Sequence, residues 1–273
     1  MPDLPGGRPG TAPSVILLYH HIAPPEDLPR DPERLRSEGW AFVHSPAEFQ
    51  RQLEFLRRRG YQFVSLGELL GQIEDQGQEH PQSVVVTFDD GWIDNWVHGA
   101  PVLEKLGIPA TFFVTTGHLR SGQPDSTRLS GGQLRSLADR GFTIGSHTRN
   151  HADLARVRVE VAREELQGSR LDLERVLGRP ADFLAYPGGS FNARVVDLAR
   201  QTGYRAACSV LGPDRNTSDS RYWLFRDVLS PGLNTLGDRY RLSPLTRRMF
   251  SFRVRDKLRK RLAGVGPGPD EEP

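Results

Sequence analysis

Two adjacent carboxylates, Asp89 and Asp90, directly follow a short apolar run that begins at Ser83. The run is rich in valine, which is typical of a buried parallel strand covered on both faces. Two carboxylates this close together are costly unless a cation neutralises them. The carboxyl ends of parallel strands are also where α/β proteins place their chemistry. The pair therefore predicts a cation-dependent site, and the alternative is a strand followed by an ordinary acidic turn.

Candidate metal ligands come from His147 and His151, which follow a second strand-like run. On a helical turn, side chains four residues apart share one face, so we expect this pair to hold a metal ion. Two histidines and one carboxylate are a common ligand set for a catalytic divalent ion. Either Asp89 or Asp90 can supply the carboxylate, and its neighbour can then take a proton from a water that the ion activates.

A general acid can come from His20 or His21, which end the first apolar run at residues 15–19. Their position after a predicted strand repeats the pattern of the two aspartates, so a hydrolase could use either one to protonate a leaving group. The alternative is that both histidines only cap the strand end.

Strand-like and helix-like segments alternate about seven times without a break in composition, which predicts one α/β domain with a parallel sheet, as a barrel or a partial barrel. Ser45 and Ser130 are predicted to cap helices. Residues 23–45 carry many prolines, glycines and charges, and we expect a long loop there.

Composition excludes several classes of protein. The single cysteine, Cys208, rules out an internal disulfide and a multi-cysteine metal site. No apolar run approaches the roughly 18 residues of a spanning helix. The first residues lack the pattern of a secretion signal, which predicts a cytoplasmic protein. The formal net charge of +2 says nothing by itself about nucleic acid or membranes. We expect no nucleic-acid partner, and the oligomeric state stays open.

The two ends of the chain differ from its middle. Residues 1–13 and 264–273 are rich in proline and glycine and are predicted to be disordered tails. Residues 244–263 form a predicted basic helix. This helix could make peripheral contact with an anionic membrane, face an anionic substrate, or dock on the domain with its basic face in water.

Residues 87–91 (TFDDG), followed by residues 147–151 (HTRNH), resemble the first two motifs of the NodB-type polysaccharide deacetylases, the fourth carbohydrate esterase family. The resemblance covers about residues 14–230, and we place the domain at 14–243. It implies a distorted (β/α)7 barrel and metal-dependent removal of N-acetyl groups from amino sugars or polysaccharides. At the matching positions, it implies Asp89 as the general base. The implied ligands of zinc, or alternatively of cobalt or nickel, are Asp90, His147 and His151.

The third motif of this family, Arg-x-Pro-Tyr-Gly, corresponds to residues 185–189 (AYPGG). Ala185 replaces the arginine that steadies the base, and we predict that Arg226, at a later strand end, holds Asp89 instead. The family uses the backbone N–H of the motif's tyrosine to bind the oxyanion, and Gly188 can still donate that N–H. The residues assigned to this substrate and oxyanion loop are Tyr186, Pro187 and Gly188.

The family's usual C-terminal histidine motif is absent, because no histidine follows His151. Residues 18–22 (LYHHI) instead resemble the N-terminal segment of the circularly permuted poly-N-acetylglucosamine deacetylase branch, which assigns the acid to His20. Two alternatives remain: an inactive carbohydrate-binding homologue, and a deacylase of an O-acetyl or other acyl sugar. The substrate hints conflict, since the absent signal favours a cytoplasmic precursor and the histidine motif favours an extracellular polymer.

Overall fold

The computed structural model describes residues 14–38, 40–77, 80, 82–120, 125–212 and 216–228. The two predicted tails and the predicted basic helix lie outside the described residues, as does the predicted domain beyond residue 228.

Strands and helices alternate along the described chain. The strands are β1 (Val15–Tyr19), β2 (His21–Ile22), β3 (Val43–His44), β4 (Gln62–Phe63), β5 (Ser83–Phe88), β6 (Ala110–Val114), β7 (Thr143–Ser146), β8 (Phe183–Ala185), β9 (Ala206–Ser209), β10 (Leu224–Phe225) and β11 (Asp227–Val228). The α-helices are α1 (Pro32–Ser37), α2 (Pro46–Arg58), α3 (Leu66–Gln76), α4 (Ala100–Leu106), α5 (Gly117–Arg120), α6 (Gly131–Asp139), α7 (Val159–Leu177) and α8 (Ala193–Gln201). Single turns of 3₁₀ helix cover Pro25–Asp27, Trp40–Phe42, Pro187–Gly189 and Ser218–Ser220, and a π-helical turn covers Asn95–Gly99.

The main sheet has the order β10-β9-β8-β7-β6-β5-β1-β11, with β4 also paired to β5, and each of its pairings is parallel. The two end strands, β10 and β11, are consecutive halves of one segment that is interrupted only by Arg226. Its first half pairs with β9 and its second half with β1. The sheet thus becomes a nearly closed barrel in a single α/β domain, which confirms the predicted fold class.

The apolar run of β5 is buried on both faces, as the sequence predicts. Val84, Val86 and Phe88 belong to the cluster that packs against the surrounding helices. Val85 belongs to a second cluster that combines residues of the strands with the apolar face of α3. Alternate residues of one strand therefore pack in two separate cores, because successive side chains point to opposite faces. Both predicted helix caps are confirmed, since Ser45 and Ser130 accept from backbone N–H groups of α2 and α6.

The prediction of a long loop over residues 23–45 is wrong in part. This stretch contains α1, two 3₁₀ turns and β3, which pairs in parallel with β2. Asp31 caps α1 by accepting from the N–H of Glu33. Helices this short are marginal on their own. They form here because tertiary contacts hold them against the domain, and local sequence patterns do not reveal such contacts.

Within the described residues, no helix combines the length and apolar character that crossing a bilayer requires. The expectation of a cytoplasmic location stays a prediction.

Candidate active site

The side chains singled out by the sequence meet at the carboxyl end of the sheet. Asp89 and Asp90 follow β5, and His147 follows β7. One ligand atom each from Asp90, His147 and His151 lie within 4.8 Å of one another. This is the spacing expected of groups that share one cation, and the two imidazoles and one carboxylate suit zinc and related divalent ions.

Hydrogen bonds determine which atom of His147 and which atom of Asp90 faces the centre of this cluster. His147 donates from Nδ1 to the carbonyl oxygen of Ala185 at 2.8 Å, which leaves Nε2 available. The indole N–H of Trp92 donates to Oδ2 of Asp90 at 3.1 Å. The other oxygen, Oδ1, lies 3.6 Å from His147 Nε2 and 3.5 Å from His151 Nε2. Such outer hydrogen bonds are what orients metal ligands in proteins.

The loop from His147 to His151 is not the helical turn that the sequence analysis assumed. Thr148 and His151 have positive φ angles, 64° and 58°, and the segment has no helical structure. Its carbonyl groups at Thr148 and Arg149 accept from the N–H groups of Thr116 and Gly117. The two imidazoles therefore meet through an irregular loop that the neighbouring chain supports, not through an i, i+4 helical face.

Two buried carboxylates of α7 hold this loop, and the sequence analysis missed both. Glu165 accepts from the backbone N–H of Arg149 at 2.9 Å and of Asn150 at 2.8 Å, and from the Asn150 side chain at 2.6 Å. Asp172 accepts from Nε of Arg149 at 2.9 Å. A Cβ on Gly168, between the two acids, would lie 2.3 Å from the Arg149 guanidinium. In the sequence of α7, two acids on one face with a glycine between them could have indicated that this face contacts a loop.

Asp89 is paired with Arg226. Nη1 and Nη2 of Arg226 donate to the two carboxylate oxygens of Asp89, each at 2.7 Å, and both residues are buried. Burial by itself raises the pKa of Asp89, but the charges of Arg226 and His147 outweigh it and lower the pKa from 3.8 to about 2. Asp89 is therefore a carboxylate at neutral pH. The structure brings together the two residues that the sequence analysis paired, where the third motif has only Ala185.

His20 and His21 have different surroundings. His21 is fully buried, with Nδ1 2.5 Å from Asp94 Oδ2 and Nε2 2.9 Å from the carbonyl oxygen of Glu38. His20 is half-buried, and its Nδ1 has no hydrogen-bond partner among the residues that the structure describes. Burial lowers the pKa of His20 below its usual value, and the charges of Asp89 and Asp90 offset this effect only in part. Its unpartnered Nδ1 is itself a buried atom, so His20 differs from His21 in having, among the described residues, no carboxylate or carbonyl oxygen that fixes this nitrogen.

The segment from Tyr186 to Gly189 follows the carbonyl that holds His147. Gly188 is exposed with a φ of 58°, and no atom lies within 4 Å of the place where its Cβ would be. Pro187 is buried. The Tyr186 side chain is also buried and donates its hydroxyl to the carbonyl oxygen of Tyr222 at 2.9 Å. Of the three predicted substrate residues, only Gly188 is open to a ligand, and the Tyr186 ring packs in the core.

Comparison with known proteins shows which protein family the chain resembles. Residues 76–207 match the family model described as polysaccharide deacetylase. The chain is 27% identical over 222 residues to the putative polysaccharide deacetylase YxkH of Bacillus subtilis, covering 80% of this chain and 72% of that protein. It is 23% identical over 196 residues to a poly-β-1,6-N-acetyl-D-glucosamine N-deacetylase of Staphylococcus aureus, covering 68% and 67%.

A solved structure agrees with the fold. The Streptococcus pyogenes deacetylase PplD, in complex with acetate, aligns with a TM-score of 0.70 at 23% identity, covering 85% of this chain and 98% of that one. Residues 76–207 of the chain therefore match the polysaccharide deacetylase family, and the solved structure shows the same fold. The resemblance drawn from the TFDDG and HTRNH motifs is confirmed.

Proposed function

We propose that this protein is a metal-dependent hydrolase that removes N-acetyl groups from an N-acetylated amino sugar or polysaccharide. The observation that carries the proposal is the separation of two adjacent carboxylates into two environments. Asp90 lies with His147 and His151 in a ligand cluster, and Asp89 is held as a carboxylate by Arg226. One strand end thus provides both a cation ligand and a base.

The donor set fits a divalent cation, with zinc first and cobalt or nickel as alternatives. Asp90, His147 and His151 would hold it, and the hydrogen bonds described above already orient the ligand atoms of Asp90 and His147 towards this cluster. When bound, such an ion supplies Lewis-acid polarisation of the acetyl carbonyl and lowers the pKa of a coordinated water towards about 7.

Asp89 takes the proton of the attacking water. A carboxylate with a pKa of about 2 is a weak base at rest, so Asp89 accepts this proton only as the new carbon–oxygen bond forms. The fork of Arg226 holds both carboxylate oxygens and fixes the direction from which the proton arrives. Arg226 thereby takes over the orienting charge that the third motif lacks in this chain.

His20 gives a proton to the leaving nitrogen, because an amine is a poor leaving group without one. Burial leaves the pKa of His20 below its usual value, although the charges of Asp89 and Asp90 offset this in part by favouring the protonated imidazole that this step needs. The backbone N–H of Gly188, an exposed residue, donates to the oxyanion, an interaction of about 3 kcal/mol in comparable sites. The products are acetate and a free amino sugar.

The proposal is tested by acetate release from N-acetylglucosamine oligomers, both β-1,4- and β-1,6-linked, after loading the protein with zinc or cobalt. The β-1,6 linkage is included because of the substrate named for the Staphylococcus aureus relative. We expect a mass loss of about 42 Da per deacetylated sugar, abolished by a chelator and by Asp89→Asn. Metal-loaded protein that releases no acetate from any of these sugars, while Asp89→Asn behaves identically, would refute it.

One alternative is favoured by the altered third motif, in which Ala185 and Gly188 stand for the arginine and the tyrosine, and a second differs only in the acyl group that is removed. The protein could bind N-acetylated sugars without cleaving them, or it could cleave O-acetyl or other acyl sugars. Sugar binding without acetate release would favour the first alternative. Acetate release from O-acetylated sugars alone would favour the second.

A further inference from the structure

The backbone at Asp90 has a conformation that side-chain-bearing residues rarely adopt, with a φ of 72°. Such strain persists only where the surroundings hold it in place. The carbonyl oxygen of Asp90 accepts from Nη1 of Arg128 at 2.6 Å and from Oγ1 of Thr115 at 3.4 Å. The turn that carries this ligand is therefore clamped from outside its own strand.

Arg128 and Trp92 form one unit against Asp90. The Arg128 guanidinium carbon lies 3.4 Å from the centre of the Trp92 ring, a close cation–π stack. The same indole donates its N–H to Oδ2 of Asp90. The carbonyl and the carboxylate of this one residue are thus held by two stacked side chains, and neither of these side chains was singled out by the sequence analysis.

A short antiparallel bridge between Trp92 and Arg128 places the two side chains together. On either side of it, the N–H of Leu129 donates to the carbonyl oxygen of Gly91, and the N–H of Ile93 donates to that of Thr127, each at 2.9 Å. These backbone bonds fix the register of the bridge. The position of Arg128 over Trp92 therefore does not depend on the two side chains alone.

The stack continues towards the predicted acid. The His21 ring lies 4.5 Å from that of Trp92 and 3.8 Å from that of Trp40, so the imidazole lies between the two indoles. His21 is the neighbour of His20 in the chain. The stack of Arg128, Trp92, His21 and Trp40 therefore connects the turn of Asp90 to the end of β1.

We propose that Trp92 and Arg128 are positioning residues for Asp90 as a metal ligand. The indole N–H selects the carboxylate oxygen that faces His147 and His151, and the guanidinium holds the strained turn. Without the indole N–H the plane of the carboxylate is free to turn, and only part of its population directs an oxygen at the cluster. Outer hydrogen-bond partners of this kind typically change metal affinity by about 10- to 100-fold. The proposal rests on the proposed function only in placing a cation at Asp90.

The experiment titrates chelator-treated protein with cobalt and follows the visible absorption of the bound ion, which reports the coordination geometry without any substrate. Trp92→Phe keeps the ring between Arg128 and His21 and removes only the N–H donor. We expect a cobalt dissociation constant about 10- to 100-fold higher, with a changed absorption spectrum. Arg128→Lys keeps the charge but not the planar stack, and we expect a change in the same direction.

Matched controls come from a second stacked pair, in which Arg140 lies 4.8 Å from the Trp96 ring. Arg140 precedes β7, at the end of the sheet opposite to the candidate site. We expect Trp96→Phe and Arg140→Lys to leave the cobalt affinity and the spectrum unchanged. If the substitutions changed cobalt binding only by loosening the packing, the Trp96 and Arg140 variants would show the same loss of affinity as the Trp92 and Arg128 variants.

A wild-type affinity and spectrum in Trp92→Phe would overturn the proposal. If Trp92→Phe does not fold, as judged by circular dichroism of the metal-free protein, Arg128→Lys decides on the same two readouts. Asp90→Asn distinguishes a failure of the positioning proposal from a failure of the proposed function. If Asp90→Asn retains cobalt affinity, the metal site itself is misplaced. If Asp90→Asn loses it while Trp92→Phe does not, only the positioning role fails.

Discussion

Arg226 donates two parallel hydrogen bonds of 2.7 Å to the two carboxylate oxygens of Asp89, across a buried contact between the end of β5 and the segment that closes the barrel. The N–H of Arg226 itself donates to the carbonyl oxygen of Ser209, between β10 and β11. The closure of the sheet and the charge state of the proposed base therefore depend on the same residue.

Arg226→Lys tests this relationship. Lysine keeps a positive charge but cannot bond both oxygens, so Asp89 loses its fixed orientation. We expect kcat/KM for acetate release to fall by about 10- to 100-fold, in the range of an outer partner of a catalytic group. Since Arg226 lowers the pKa of Asp89, weakening the pair raises that pKa and moves the acidic limb of the pH–rate profile to higher pH.

Arg221→Lys is the matched control, because Arg221 is a nearby surface arginine that contacts the carbonyl oxygen of Arg205. Its rate and pH profile should equal those of the unmodified protein. Equal rates and profiles for Arg226→Lys as well would refute the assignment of Arg226. Arg226→Met is a poorer test, since an uncompensated buried charge costs about 3–5 kcal/mol of folding stability.

The stability of the metal-free protein should depend on Asp89 at acid pH. Its pKa is about 2 in the folded protein, against 3.8 for an unperturbed aspartate. A lowered pKa stabilises the fold above the unfolded value, and this contribution is lost as the pH falls from about 4 towards 2. It amounts to roughly 2 kcal/mol. Urea denaturation between pH 7 and pH 2.5 should show a loss that is larger by this amount in the unmodified protein than in Asp89→Asn, because other carboxylates with lowered pKa values titrate in both proteins.

His20→Gln should affect amides far more than activated esters. Removing a general acid typically lowers the rate by about 10²- to 10⁴-fold when the leaving group needs a proton. In the hydrolysis of a nitrophenyl acetate the nitrophenolate ion leaves without a proton. The rate of this reaction should therefore fall much less. The alkaline limb of the profile on N-acetyl sugars should also disappear. Equal losses on the two substrate types would show that His20 acts in some other way.

Glu165→Gln should lower the metal affinity, because Glu165 supports the loop that carries His147 and His151. The amide can accept at only one of its two terminal atoms, so at least one bond that now holds Arg149 and Asn150 is lost. We expect the cobalt dissociation constant to rise by about 10-fold or more. The neighbouring Glu164 contacts only the exposed side of Arg149, and Glu164→Gln should bind cobalt normally. Similar affinities in both variants would argue against a supporting role for Glu165.

Patterns within single segments were enough to predict much of the architecture. The apolar runs of β1 and β5 each end in titratable residues, and parallel strands end at a common edge. Fold class and the approach of Asp90 to the two histidines follow from that. The conformation of residues 147–151 does not, because their left-handed backbone depends on contacts with Glu165 and with the chain after β6.

Other features were hidden for the same reason. Trp92 and Arg128 lie outside the apolar runs and motifs from which the site was predicted, and the bridge between them exists only in the folded chain. Residues 23–45 likewise have too little local preference to predict their short helices and strand, which tertiary contacts stabilise.

The sequence by itself determined which titratable side chains end the buried strands, since hydrophobic pattern and chain order specify the carboxyl edge of a parallel sheet. Its residue pattern left Asp89 and Asp90 equivalent, as two neighbours at one strand end, and only the resemblance to a known family assigned them different roles. The tertiary structure supplies the physical basis of that difference. Arg226, 137 positions away, bonds both oxygens of Asp89, while Trp92 turns Asp90 towards two histidines from another strand. The physical reason is that a carboxylate's charge state and orientation depend on its neighbours in space.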